Sequence, residues 1–314
     1  MTADPLPRYA ELPIRADAPP GASWGVFGDD DQVGTVNFMT PERVAAAATC
    51  VRKGVVFNLD LSLETPHPPF YGRHVMRHEI TSDGIWRDTV LHNFNTQTSS
   101  QIDGLRHYCH PQWGLYGGRR GAEATETGGP NGIEHWARHG IAGRGLLVDV
   151  GRYFESNGSP LDQRTHREFG LAEIEGVLAA QKTGVRPGDI LLFRFGWTPM
   201  YRALDEAGRR AMADGHAAPG LAHSREVAGW FWDNQVVQAW SDTPALEAIP
   251  HPLDGESLHD YMICRLGMGI GELLDYEDLA ADCAADGVYE SFVTSSPLYI
   301  TAGVATPPNA LAFK

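Results

Sequence analysis

The chain has no run of about 20 apolar residues, the length a helix needs to cross a bilayer. Its first 24 residues, MTADPLPRYAELPIRADAPPGASW, lack the apolar centre of a secretory signal. Basic residues are scarce: 25 Lys and Arg stand against 40 Asp and Glu, and the net charge is −15. No Lys/Arg-rich run occurs, which excludes the basic footprint of a nucleic-acid partner and adhesion to an anionic membrane. Cysteine is sparse too. Cys50, Cys109, Cys264 and Cys283 form no CxxC pair, so they read as buried free thiols in a reducing, cytoplasmic compartment. No GxGxxG follows a strand pattern and no HExxH occurs, which excludes a nucleotide cofactor and a zincin helix. The GxSxG match, GASWG at 21–25, follows the proline-rich arm and no strand pattern, so a serine-hydrolase elbow is unsupported.

What is present is a core. The 314 residues are 42% hydrophobic and 21% charged, enough for one large globular unit. Residues 1–23 read as an extended arm that packs on the body or crosses to a neighbour, and 24–314 as a single domain. Thr40 and Pro41 open a helix over 40–54 that Gly54 closes, and 55–63 alternates as a strand does. A near-continuous apolar run at 144–154 predicts a buried strand, and 185–197 reads as a turn leading into another. Helices are expected at 171–184 and 224–235, a strand at 236–242, a helix–strand–helix over 258–283, and a last strand at 295–303. Strands and helices alternate without a strict βαβ rhythm, which predicts an α/β fold with a mixed sheet and flanking helices.

Two stretches hold the candidate chemistry. QTSSQIDGLRHYCH, 97–110, places Asp103 beside a flexible Gly104 and four residues before His107. LHDYMICRLGMGIGELLDYEDL, 258–279, places His259 at a helix start and Glu272 in an apolar, glycine-rich strand, where a lone carboxylate is costly unless paired or metal-bound. From residue types alone a metal site, a metal-free acid–base site and a polar network all remain open. Trp86, Trp113 and Tyr116 are candidates for an aromatic substrate wall, with His110 to orient the ligand. His74, His78 and His92 flank Trp86 in a segment that reads as a loop over the site. His135 and His139 have helical spacing but no intervening catalytic glutamate, and read as packing residues.

Together and in this order, the two stretches resemble the cyclase family that includes bacterial arylformamidase (kynurenine formamidase) and isatin hydrolase. The family signature HxGTHxDxPxH falls on 97–107: Gln97 and Gln101 stand at the first two histidine positions, Asp103 at the aspartate, Leu105 at the proline and His107 at the last histidine. His259 and Glu272 match the downstream pair. The resemblance implies a swivelling β/β/α fold and a homo-oligomer, a dimer or tetramer. It also implies a divalent metal held by Asp103, His259 and Glu272, with His107 as the acid–base residue. Replacing two imidazoles by amides argues against a two-zinc site and for a single Mn²⁺, Zn²⁺ or Mg²⁺, with Gln101 as a further oxygen ligand. Gln97, and Asp242 in the block SDT, are expected to hold the ligands from behind. The implied activity is hydrolysis of an amide, lactam, imide or ester bond in a small cyclic or aromatic metabolite. The alternatives are a cyclase or dehydratase that moves protons through His107, and a binding protein without catalysis.

Overall fold

The apolar runs of the sequence become the middle of a sheet. A computed structural model describes residues 6–123, 125, 127–215, 217–251 and 256–314. Its strands are β1 (Val56–Asn58), β2 (Arg77–Ser82), β3 (Arg87–His92), β4 (Gln101–Asp103), β5 (Ile141–Asp149), β6 (Arg167–Phe169), β7 (Ile190–Arg194), β8 (Pro219–Leu221), β9 (Gln238–Ser241), β10 (Ile270–Glu272), β11 (Glu290–Ser295), β12 (Ala305–Thr306) and β13 (Leu311–Phe313). The helices are α1 (Pro41–Ala48), α2 (Glu134–His139), α3 (Val150–Ser156), α4 (Leu171–Ala180), α5 (Trp197–Ala203), α6 (Glu206–Asp214), α7 (Arg225–Asp233) and α8 (Glu277–Asp286), with a π-helical turn at Asp260–Leu266.

Nine strands form one mixed sheet in the order β1-β13-β11-β5-β7-β9-β10-β4-β12. Strands β5, β7, β9 and β10 run parallel, and the outer strands pair antiparallel. Parallel strands are covered on both faces, which is why Leu146, Leu147, Val148, Leu191, Leu192, Ala239 and Trp240 can follow one another with no exposed partner. Helices α1, α3 and α4 lie against β5 and β7. Gly271 in β10 is required by this packing, because a Cβ there would lie 2.4 Å from the Trp240 ring.

Most expected elements occur, and three differ. Residues 55–63 form a strand only over the short β1, with one further bridge from Asp60 to Leu274. The run 144–154 is not all strand: Asp149 ends β5, and its carboxylate accepts the Arg152 amide at 3.1 Å to start α3. Residues 295–303 are not a strand. Pro297 has no N–H to give a ladder, and the Leu298 amide goes to Thr306 Oγ1 at 2.8 Å; the last strands are β12 and β13.

Residues 6–23 of the arm lie on their own body against α7, while residues 1–5 of it are outside the described residues. The Tyr9 amide donates to Asp233 Oδ1 at 2.7 Å, Trp232 Nε1 donates to the Pro7 carbonyl at 2.9 Å, and Leu12 is buried. Of the four thiols, Cys264 and Cys283 are buried, Cys50 is half-buried and Cys109 is exposed, so burial does not extend to all of them. Among the described residues no helix is long and apolar enough to cross a membrane.

Candidate active site

Register alone assembles the first part of the site. In the antiparallel β4–β10 pair, Gln101 lies opposite Glu272 and Asp103 opposite Ile270. Side chains two apart on a strand share a face, so Gln101, Asp103 and Glu272 project together into a cavity of about 390 Å³. Gln101 Nε2 donates to Glu272 Oε2 at 2.5 Å. His259, just before the π-helical turn, turns Nε2 toward both carboxylates, 3.3 Å from Glu272 Oε1 and 3.8 Å from Asp103 Oδ2. His107 Nε2 is 3.5 Å from the same Asp103 oxygen.

The hydrogen bonds fix the tautomer of a neutral His107 and the nitrogen that His259 turns to each carboxylate. Carboxylates only accept, so the Gln97 atom 2.8 Å from Asp103 Oδ1 is its nitrogen, which also donates to His107 Nδ1 at 3.0 Å. The hydrogen of a neutral His107 is therefore on Nε2. His259 Nδ1 donates to Glu247 Oε1 at 2.5 Å, which leaves Nε2 as the atom facing Asp103 and Glu272. Glu247 is fully buried. It also faces Nδ1 of His223 at 2.9 Å and Nδ1 of His251 at 3.2 Å, and it accepts the Leu258 amide.

Burial and charge then set the protonation states. Burial pushes Glu272 up to about 7, aided by the nearby Asp103 charge and opposed by His259. Burial opposes the Asp103 charge as well, but His107, His259 and Arg73 outweigh it and hold that carboxyl below its usual value. Burial lowers His107, with Asp103 partly offsetting it, so the ring is neutral near pH 7. Burial would also discharge His259, but Glu247, Asp103 and Glu272 raise it well above an ordinary histidine. Burial works against the Glu247 charge too, and the surrounding imidazoles, His259 first, hold it well below the usual carboxylate range.

Of the buried side-chain oxygens without a hydrogen-bond partner, two, Asp103 Oδ2 and Gln101 Oε1, belong to residues that line this cavity. Buried oxygens normally find partners, and these two stand on one cavity wall beside His259 Nε2 and Glu272. This donor set of carboxylates, an amide oxygen and one imidazole fits a single divalent cation. A tighter grouping of ligand atoms, Asp103, His107 and His259, includes His107. The Gln97 contact argues against His107 as a ligand, because it leaves the ring's hydrogen on the nitrogen nearest Asp103.

Five expected site residues lie elsewhere. Trp86 stands at the exposed tip of the β2–β3 hairpin, 74% exposed. Trp113 is packed against the core, and His110 Nδ1 accepts the amides of Gln112 and Trp113 to brace its own turn. Tyr116 is core, its hydroxyl donating to Asp31 Oδ2 at 3.0 Å. Asp242 does not touch His259. It accepts the amides of Phe195, Gly196 and Trp197 at 2.7–2.9 Å and so shapes the β7–α5 turn, although burial pushes it up to about 7. The cavity is lined instead by Tyr71, Arg73, Tyr108, Pro244, Ala245 and His251. The support behind His259 comes from Glu247, a lone carboxylate in the apolar run PALEAIPHP, which is the same signal that marked Glu272.

A sequence model of the family described as "Putative cyclase" matches residues 43–248. The crystal structure of a novel cyclase is 33% identical, with a TM-score of 0.84 over 93% of this chain and 99% of that one. Isatin hydrolase A from Labrenzia aggregata, bound to benzyl benzoate, is 16% identical with a TM-score of 0.60, over 85% of this chain and 94% of its own. Isatin hydrolase A from Ralstonia solanacearum is 16% identical with a TM-score of 0.58, over 87% and 97%. No curated protein matches the sequence.

Proposed function

The chain belongs to the cyclase family, and from that premise we propose that it is a metal-dependent hydrolase of an amide, lactam, imide or ester bond in a small cyclic or aromatic molecule. The observation that carries this reading is the orphaned Asp103 Oδ2 beside His259 Nε2, a nitrogen aimed there by Glu247. Asp103, His259 and Glu272 would hold the ion, with Gln101 Oε1 available as a fourth donor. When bound, it would supply Lewis acidity to a carbonyl and to water.

The rest is the work of the side chains. Pro244, Ala245, Tyr71 and Tyr108 give the cavity an apolar and aromatic wall suited to a flat ligand. Arg73, whose guanidinium donates to the Gln97 carbonyl, places a fixed cation at the rim. His107 approaches the carboxylate of Asp103 no closer than 3.5 Å, and its neutral state suits a base. It presents Nε2–H to an oxygen on which charge develops. To take a proton from water at that nitrogen, the tautomer must exchange and the Gln97 contact at Nδ1 must open. The isatin hydrolases among the structural relatives support a cyclic amide as the first substrate class to try.

The test is a panel of aromatic lactams, imides, formyl anilides and aryl esters, run on chelated protein reloaded with Mn²⁺ or Zn²⁺ in ¹⁸O-labelled water. The expected result is metal-dependent bond opening with one labelled oxygen per product. Turnover without label would move the assignment to a cyclase or dehydratase. Metal-loaded protein that converts no member of the panel would leave the reading unsupported.

A further inference from the structure

Beside the candidate active site, sharing Glu247 and His251 with its cavity wall, lies a second group of ligand-type side chains. Among the described residues, His223, Glu247 and His251 have donor atoms within 4.8 Å of one another, as a set that could hold an ion must. We propose that these three residues form a second metal site, for a late first-row divalent ion of the zinc class.

The argument starts from His223. Its Nε2 lies 2.7 Å from the Ala248 carbonyl oxygen. A carbonyl cannot donate, so Nε2 carries the hydrogen. The lone pair of Nδ1 then faces Glu247 Oε2 at 2.9 Å, and lone pair against carboxylate needs a cation between them. A proton serves, and so does a metal ion. An imidazole whose far nitrogen donates to a backbone carbonyl is also the usual outer support of a metal-bound histidine. His251 Nδ1 approaches the other oxygen of the same carboxylate at 3.2 Å, and the two rings meet at 70°. The two imidazoles thus approach one carboxylate from different directions.

The support is rigid, as a metal site requires. Glu247 pairs with Leu221 at the end of β8, the Leu221 amide donates to Leu246, and the Ala248 amide donates back to Leu221. Gly220 permits this close approach, since a Cβ there would lie 2.3 Å from the Glu247 carbonyl carbon. His223 and Glu247 are almost fully buried, whereas the His251 side chain is 42% exposed and gives an ion a way in. Two imidazoles with one carboxylate favour zinc, cobalt or nickel over magnesium or calcium. The site also bears on its neighbour, because the carboxylate that would bind this ion is the one that orients His259.

The proposal does not depend on the hydrolase reading and needs no substrate. Chelated protein is titrated with Co²⁺, read by visible absorption and by elemental analysis after dialysis, and the titration is repeated with Zn²⁺. The wild type should hold two ions per chain. The Asp103→Asn, Glu272→Gln variant should keep one of them, and the His223→Asn, His251→Asn variant should lose that one. His251→Asn alone sits at the rim and should fold as the wild type does, yet bind the second ion more weakly by more than the ~10–100-fold that loss of an outer partner costs. The proposal is overturned if the His223→Asn, His251→Asn variant, folded by circular dichroism, retains as many ions as the wild type. It is equally overturned if the Asp103→Asn, Glu272→Gln variant, also folded, binds none.

Discussion

Replacing Glu247 by Gln in metal-free protein probes the charge on which both histidine groups lean. The side chain keeps its shape, but His259, His223 and His251 lose the carboxylate oxygens that lie 2.5–3.2 Å from their Nδ1 atoms. Removing one partner of a buried ion pair costs about 3–5 kcal/mol. Unfolding entropy near 2.1 cal/mol/K per residue gives ~0.66 kcal/mol/K for 314 residues, so the loss should appear as ~5–8 °C in Tm. The pH dependence has a definite sign. His259 is raised above its ordinary 6.5, so its share of the stability is complete below 6.5 and fades as pH rises through the raised value. Glu247 is depressed below 4.5, so its share is complete above 4.5 and is lost as pH falls through the depressed value. The Tm difference between wild type and variant should therefore be widest between 4.5 and 6.5 and narrow on both sides. Thermal melts of the two proteins across the pH range decide it. A difference that is flat with pH, or that grows steadily into alkali, would show that the network does not carry this charge.

Further outcomes follow from other residues. His107→Asn should fold and retain its metal while losing turnover by ~10²–10⁴-fold, and a near wild-type kcat would remove His107 from the reaction. Gly220→Ala forces a Cβ to 2.3 Å from the backbone of Glu247, so it should lower stability by about 1–3 kcal/mol and weaken metal retention together; a change in only one would separate Glu247 from the metal site. Ile85 and Trp86 at the hairpin tip, 81% and 74% exposed, are the most exposed large apolar side chains among the described residues and the surface offered here for the expected self-association. Light scattering should give a smaller particle for the Ile85→Ser, Trp86→Ser variant than for the wild type, and equal masses would refute that surface.

The legible parts of the site are those held by local spacing. Asp103, His107, His259 and Glu272 follow from the two stretches and the family signature they resemble, whereas the strand that puts Gln101 and Asp103 on one face opposite Glu272 is seen only in the fold. Glu247 shows the limit of such reading. Its partners lie 24, 4 and 12 residues away along the chain, and no local pattern names them. Aromatic residues carry still less information, because a core and a pocket wall select the same side chains: Tyr116 and Trp113 went to the core, Trp86 to the surface, and Tyr71 and Tyr108 to the cavity. Asp242 misleads for a related reason. A buried carboxylate needs donors, and three backbone amides at the β7–α5 turn satisfy it without any role at the site. The break between β5 and α3 was hidden because Asp149 ends the strand with a side-chain cap inside an apolar run, where no proline or adjacent turn signal marks it.

The central claim is that Asp103, His259 and Glu272 form a metal site, and anomalous diffraction from crystals loaded with Mn²⁺ or Zn²⁺ tests it most directly. The account predicts a peak in contact with Asp103 Oδ2, His259 Nε2 and Glu272 Oε1, at about 2.0–2.2 Å for zinc, with His107 outside the coordination shell. Loaded crystals with no peak within bonding distance of those three atoms would contradict it.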